Sequence, residues 1–329
     1  MKPKILKLLV ASCFLGLLPF KTVALNYTIT FTGTGASPKV ENVMVQNLTK
    51  GTSVTVPSGN VLNLSDGLSA LDQLITTMIY TAGDRLLYKG ISGNYSTIVT
   101  DIPTDNKTTN FNFVACKDAD ENNYKVVTIG TQTWMAENLK TTKYNDGTAI
   151  PNVTANSSWV NFTSGAYSWY NNDATTYYDN AYGALYNWYT VNTGKLAPTG
   201  WHVATDTEWN TLENYLIENG YNYDGSTSGD NYAKSLAATT DWATDSGTGT
   251  VGNDLTKNNR SGFSALPGGF RDGDDGSFTY VGGNVLWWSS TESKTGSAWN
   301  GGMFYARTSV HWNYNNMQWG FYVRCVRDF

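Results

Sequence analysis

Few residues in this chain suit catalysis. Histidine occurs only as His202 and His311, so neither a multi-histidine metal centre nor an HExxH helix can be built. There is no Gly-x-Ser-x-Gly elbow and no P-loop. Asp and Glu are plentiful, which leaves a glycosidase-type carboxylate pair open, but no pair is marked out by its context. His202 follows Trp201 just ahead of a helix-start signal and reads as a structural or surface histidine. Metal binding has one candidate, Asp272-Gly273-Asp274-Asp275-Gly276. There Asp272, Asp274 and Asp275 form the closely spaced oxygen set that a tight Ca2+ turn requires. The run lacks the length and closing Glu of an EF-hand loop, so a solvated acidic turn is expected, with calcium the alternative. No other cofactor is implied.

Binding chemistry is concentrated near the C-terminus, in the stretch Trp299 to Trp319 (WNGGMFYARTSVHWNYNNMQW). Trp299, Asn300, Tyr305, Arg307, His311, Trp312, Asn313, Tyr314, Asn315 and Trp319 combine flat ring faces with hydrogen-bond donors and acceptors. Paratopes use the same mixture for the same reasons. Met303, Tyr305 and Val310 are the expected inward anchors. The alternative is a twisted, Asn-rich hairpin without a ligand, but so many exposed rings would then be poor surface design.

Composition narrows the setting. A net charge of −5 with only 22 Lys+Arg leaves no basic surface for nucleic acid or anionic lipid. Aromatic residues reach 14% against 15% charged, a polar but uncharged mixture suited to an exported, loop-rich β protein. Lys2, Lys4 and Lys7 precede an apolar run from Leu8 to Phe20 that is too short to span a bilayer, and Thr22-Val23-Ala24 supplies small residues after it. Residues 1–24 therefore read as a signal peptide, which places the protein outside the cell or on its outer surface, without a transmembrane segment. A competing cut at Val10-Ala11-Ser12-Cys13 would leave Cys13 lipidated. Cys116 and Cys325 then remain in an oxidising compartment, where a bridge between them and two free thiols are both open.

Length alone, 329 residues, suggests more than one domain. Residues 25–112 alternate with period two, as at Tyr27, Ile29 and Phe31, and are read as a small β-sandwich-like domain. Ser69 to Ile79 fits a short helix or a strand, and Thr100 to Asn112 a linker or a final strand. Residues 113–329 are richer in Trp, with short strands, long loops and two helical stretches. Ala181 to Asn192 places Ala184, Leu185, Trp188 and Val191 on one stripe. In Thr205 to Asn219, Thr205 and Glu208 make a capping box, Trp209, Leu212 and Leu216 the buried stripe, and Gly220 the stop. The class is α+β.

Particular stretches in the second part are recognisable: Ile129-Gly130-Thr131-Gln132-Thr133-Trp134-Met135-Ala136-Glu137-Asn138-Leu139; Pro198-Thr199-Gly200-Trp201-His202-Val203 on to Trp209; Phe263 to Arg271 (FSALPGGFR); and Trp287 to Glu292 (WWSSTE) with Gly320 to Asp328 (GFYVRCVRD). In this order they resemble the Fibrobacter succinogenes major paralogous domain of secreted Bacteroidetes and Fibrobacter proteins, over roughly Cys116 to Phe329. The resemblance implies a C-type-lectin-like fold, related to formylglycine-generating enzyme and to the variable proteins of diversity-generating retroelements. Tyr27 to Ala36 more weakly resembles β-modules that precede such domains. Members commonly carry a cysteine before Pro-x-Gly-Trp as partner for the one at Cys325. Ala197 stands there instead, so that bridge is impossible and Cys325 is free or joined to Cys116. Loss of that cysteine also argues against formylglycine-type chemistry. Retroelement-diversified proteins vary a C-terminal stretch placed as this one is, and adenine-directed mutagenesis of Asn codons would leave much of what Asn300 to Gln318 shows. The expected function is recognition of a glycan or surface protein, not catalysis. A structural or adhesive envelope protein is the alternative.

Overall fold

The computed structural model describes residues 25–59, 61–67, 75–179 and 182–328, so the expected leader with Cys13 lies outside it, as does most of the Ser69–Ile79 stretch. The first third contains β1 (Asn26–Gly35), β2 (Asn42–Asn47), β3 (Thr52–Pro57), β4 (Val61–Ser65), β5 (Ile75–Ile79), β6 (Leu86–Ser92), β7 (Tyr95–Asp101) and β8 (Lys107–Phe113). Alternation explains their packing. In β2, Val43 and Val45 are buried while Met44 points out, and β3 presents Val56 and Val54 opposite the two valines. One sheet runs β5-β4-β1-β8, and β7-β6-β2-β3 form part of another. A core of Ile29, Leu62, Leu64 and Phe111 from the first sheet with Val43, Val45, Val56 and Tyr88 from the second joins them. Lys107–Phe113 is thus a strand, pairing in parallel with β1.

The remainder contains β9 (Val126–Ile129), β10 (Gln132–Met135), α1 (Asn156–Trp159), β11 (Tyr167–Ser168), α2 (Ala174–Asp179), β12 (Leu185–Tyr186), α3 (Trp188–Val191), β13 (Trp201–Val203), α4 (Asp206–Glu218) and α5 (Ala233–Leu236). It closes with β14 (Gly268–Arg271), β15 (Phe278–Val281), β16 (Asn284–Lys294), β17 (Ser297–Phe304), β18 (His311–Asn316) and β19 (Cys325–Arg327). The two parts are not strung on a free linker. Strand β9 pairs in parallel with β7, Ile98 opposite Val127, producing one continuous sheet in the order β13-β19-β10-β9-β7-β6-β2-β3. Gly262 presses on this junction. Its φ is +82°, and a Cβ there would meet the Ile98 methyl at 2.7 Å.

Helix α4 carries the expected capping box: Glu208 N–H donates to the Thr205 hydroxyl, and the Glu208 carboxylate accepts from Thr205 N–H at 2.9 Å. Trp209, Leu212 and Leu216 are its buried stripe. Ala181 lies outside the described residues, and over 182–192 the expected Ala181–Asn192 helix is not formed as a unit. Leu185–Tyr186 is a strand, Asn187 caps a separate turn by accepting from Thr190 N–H, and only Trp188–Val191 is helical. The four stripe residues are buried all the same, because burial spacing alone does not separate a helix from a strand followed by a turn. Among the described residues no helix is long and apolar enough to cross a membrane.

The recognisable stretches build the interior. In β16, neighbours Trp287 and Trp288 point to opposite faces and enter different cores. Trp287 donates to Asn138 Oδ1 at 2.9 Å, and Trp288 donates to the Tyr186 carbonyl at 2.8 Å. Around Trp209 the rings of Trp134, Phe263 and Trp287 lie at 4.7, 5.9 and 5.8 Å. Arg324 is 1% exposed yet meets no carboxylate; it donates to Asn138 Oδ1 (2.7 Å) and to the carbonyls of Met135 (2.8 Å) and Phe263 (2.9 Å). Burial lowers its pKa to about 9, so it stays charged at neutral pH inside this cage of carbonyls. Arg271 is held in the same manner by the carbonyls of Gly276 and Thr154, between the rings of Trp159 and Phe278.

The Cys116–Cys325 bridge is not made: both are free, buried thiols in one apolar core, where Ala197 also packs. Burial pushes both thiols up, and the neighbouring Cys325 adds to the effect on Cys116.

Candidate ligand-binding site

The C-terminal sheet runs β15-β14-β16-β17-β18, with β18 at its edge. The antiparallel register sets Asn300 opposite Asn313, Gly302 opposite His311 and Ala298 opposite Asn315. Period two puts these pairs on one face, and Trp299–Tyr314 and Gly301–Trp312 on the other.

The first face is the floor of an open groove of about 500 Å3. Asn300, 1% exposed, donates across the strands to Asn315 Oδ1 at 2.9 Å, which fixes the amide array. His311, Asn313, Tyr305 and Arg307 are exposed along the groove, Tyr305 and Arg307 coming from the β17–β18 connection. Gly302 leaves the floor open between Leu286 and Phe304. The far wall is Tyr280, a residue 61% exposed whose ring sits 5.7 Å from that of Phe270. Its φ of +62° is a left-handed conformation uncommon for an aromatic residue, which the surrounding turn must enforce. The arrangement offers ring faces, carboxamides, an imidazole and a guanidinium to one bound molecule.

Six of the ten expected residues line this groove: Asn300, Tyr305, Arg307, His311, Asn313 and Asn315. The others are placed differently. Trp312 turns to the opposite face, packs 5.7 Å from Trp209 and donates its indole N–H to Glu213. Burial raises the Glu213 carboxyl, against the hydrogen bonds from Tyr232 and Trp312. A Cβ on Gly301 would meet the Trp312 ring at 2.9 Å, so glycine there seats the indole. Trp299 and Tyr314 pack edge to face at 5.8 Å, with the Lys294 ammonium 4.3 Å from the Tyr314 ring. Trp319 is half-buried against Phe270 and Phe321 at 5.4 and 5.8 Å. Of the three expected anchors, Met303 is buried and Val310 half-buried, whereas Tyr305 faces outward. Tyr280, Asn284, Phe304 and Phe270 belong to the groove and were missed. Period two on strands 284–294 and 297–304 was the available signal for Asn284 and Phe304.

Asp272, Asp274 and Asp275 form the β14–β15 turn. Asp272 Oδ1 accepts from Asp274 N–H at 2.7 Å, and Asp275 Oδ1 accepts from Ser277 N–H at 2.8 Å. Among the described residues no group of three or more His, Cys, Asp or Glu is gathered as a metal site requires. His202 is clamped between Asp328 Oδ1 and Glu208 Oε1, each 2.7 Å away. Burial works against its charged form, but the two carboxylates outweigh it and raise its pKa.

No curated protein and no solved structure matches the chain. The family model described as the Fibrobacter succinogenes major domain matches residues 127–327, a span that includes Arg324, Trp209, Trp287 and the whole groove. With more than half of its 329 residues inside that match, the protein belongs to the Fibrobacter succinogenes major domain family.

Proposed function

We propose that the protein is exported, residues 1–24 acting as signal peptide, and that it binds a glycan or a surface protein without catalysing a reaction. Its C-terminal part, 113–329, would be a C-type-lectin-like domain presenting the groove, and 25–112 a β-unit that spaces or anchors it. The observation that carries this reading is the groove itself: exposed rings of Tyr280 and Tyr305 face a row of carboxamides with Arg307 and His311 beside them. Sugars and peptide chains both present apolar faces rimmed by hydrogen-bonding groups, which such a surface complements. Diversification by a retroelement fits the same placement, since His311 and Asn313 are exposed in the groove. A gene neighbourhood with no reverse transcriptase and no near-copy template sinks that part of the reading.

The structural or adhesive alternative has its own support, because β18 is a free sheet edge that a second chain can extend. A glycan array probed beside envelope extracts, with calcium and with chelator, separates the two. Selective capture supports recognition, and its dependence on calcium decides the Asp272–Asp275 turn. Concentration-dependent self-assembly with no capture supports the adhesive reading.

A further inference from the structure

A second cavity, of about 270 Å3, lies where the N-terminal strands meet the C-terminal part. Arg85, just ahead of β6, faces Tyr221, Tyr223, Lys234 and Arg260 across it. The Arg85 and Arg260 guanidinium carbons lie 4.9 and 5.9 Å from the centre of the Tyr221 ring. Neither arginine has a carboxylate partner among the described residues. Arg85 donates to the Tyr221 hydroxyl at 3.4 Å, and its Nε is buried without an acceptor. Arg260 donates to the carbonyls of Asn222 (3.2 Å) and Gly220 (3.3 Å). Lys234, 5% exposed, is likewise held by neutral groups, Asn258 Oδ1 at 2.8 Å and the Thr250 carbonyl at 3.2 Å. The acidic group close by, Asp254, is already paired with Lys257 at 3.0 Å. Burial and the Arg85 charge both depress Arg260.

Four cations thus line one cavity in a protein of net charge −5, and of these only Lys257 has a carboxylate partner among the described residues. Their mutual repulsion is unfavourable, and a bound anion would relieve it. Guanidinium pairs recognise carboxylates by parallel hydrogen bonds, and tyrosine faces accept the C–H side of a sugar ring. We propose that this seam cavity is a separate binding site for a uronic acid residue, its carboxylate between Arg85 and Arg260 and its ring against the exposed Tyr223. The site does not depend on the C-terminal groove. It exists only while both parts of the chain are packed together, since Leu48, Thr49 and Arg85 come from one and the remaining groups from the other.

The test is saturation-transfer NMR and titration of the purified protein with the methyl glycosides of glucuronic and galacturonic acid. Methyl glucoside and inorganic phosphate serve as comparison probes. The uronides should bind about tenfold or more tighter than the neutral glucoside, and more weakly as salt is raised. Arg85→Gln should weaken them by about tenfold or more. Thr248→Glu, on the exposed rim, adds repulsion without disturbing the interior and should weaken them severalfold. Glucoside binding equal to the uronides, phosphate binding in preference to them, no uronide binding at all, or uronide binding unchanged in both variants overturns the proposal.

Discussion

Trp312 and Asn313 are neighbours in sequence and opposites in environment. Trp312 closes an aromatic stack over α4, bonded to Glu213 and packed on Trp209; Asn313 stands in an open groove. On the same hairpin Trp312 is committed to packing while its neighbour Asn313 is open to solvent. Exchange at Asn313 therefore costs the fold less than exchange at Trp312, and residue type alone does not tell which aromatic is free to bind.

That contrast can be broken most violently from behind. Trp209→Ala removes the ring that Trp134, Phe263, Trp287 and Trp312 all touch and should cost about 3–5 kcal/mol, read as a lower denaturant midpoint. Arg324→Met takes a donor from the Met135 and Phe263 carbonyls and leaves Asn138 Oδ1 with Trp287 alone, for a loss of about 3 kcal/mol in the same measurement. Trp312→Ala, on the half-buried face, should cost about 2 kcal/mol, since part of the ring is in solvent and Glu213 keeps its Tyr232 partner. His202→Gln should matter less and only in acid. Its raised pKa means that its stabilisation is complete below the unfolded value of about 6.5 and disappears as pH rises through the folded value. Melting curves of this variant and the parent should differ at pH 5.5 and converge at pH 9. Tyr305→Ala and Asn313→Ala, in the groove, should each shift stability by no more than about 0.5 kcal/mol.

Part of this was legible in the sequence. The helix of Thr205 to Asn219 announces itself through a cap, a stripe and a glycine stop, three local signals that agree. The recognisable stretches likewise mark the interior, because Trp287 and Arg324 both donate to Asn138 from distant parts of the chain and Trp134 packs in the same core as Trp287. The groove was half legible. Composition singled out the hairpin that forms much of it, but grouping Trp312 and Tyr314 with Asn313 and Asn315 ignored the two-residue alternation of a strand. Tyr280 and the seam cavity were hidden for a different reason: they arise from strands and loops distant in the chain, whose meeting no local pattern records. The cysteines were ambiguous because an apolar core holds a free thiol as readily as a bridge.

The most direct measurement compares wild-type protein with Tyr305→Ala/Asn313→Ala on the same glycan array, each preparation melted in parallel. The account predicts that capture disappears while the melting temperature moves by no more than about 2 °C. Capture that survives in the double variant, or a collapse of stability accompanying its loss, would contradict the assignment of the groove as the binding site.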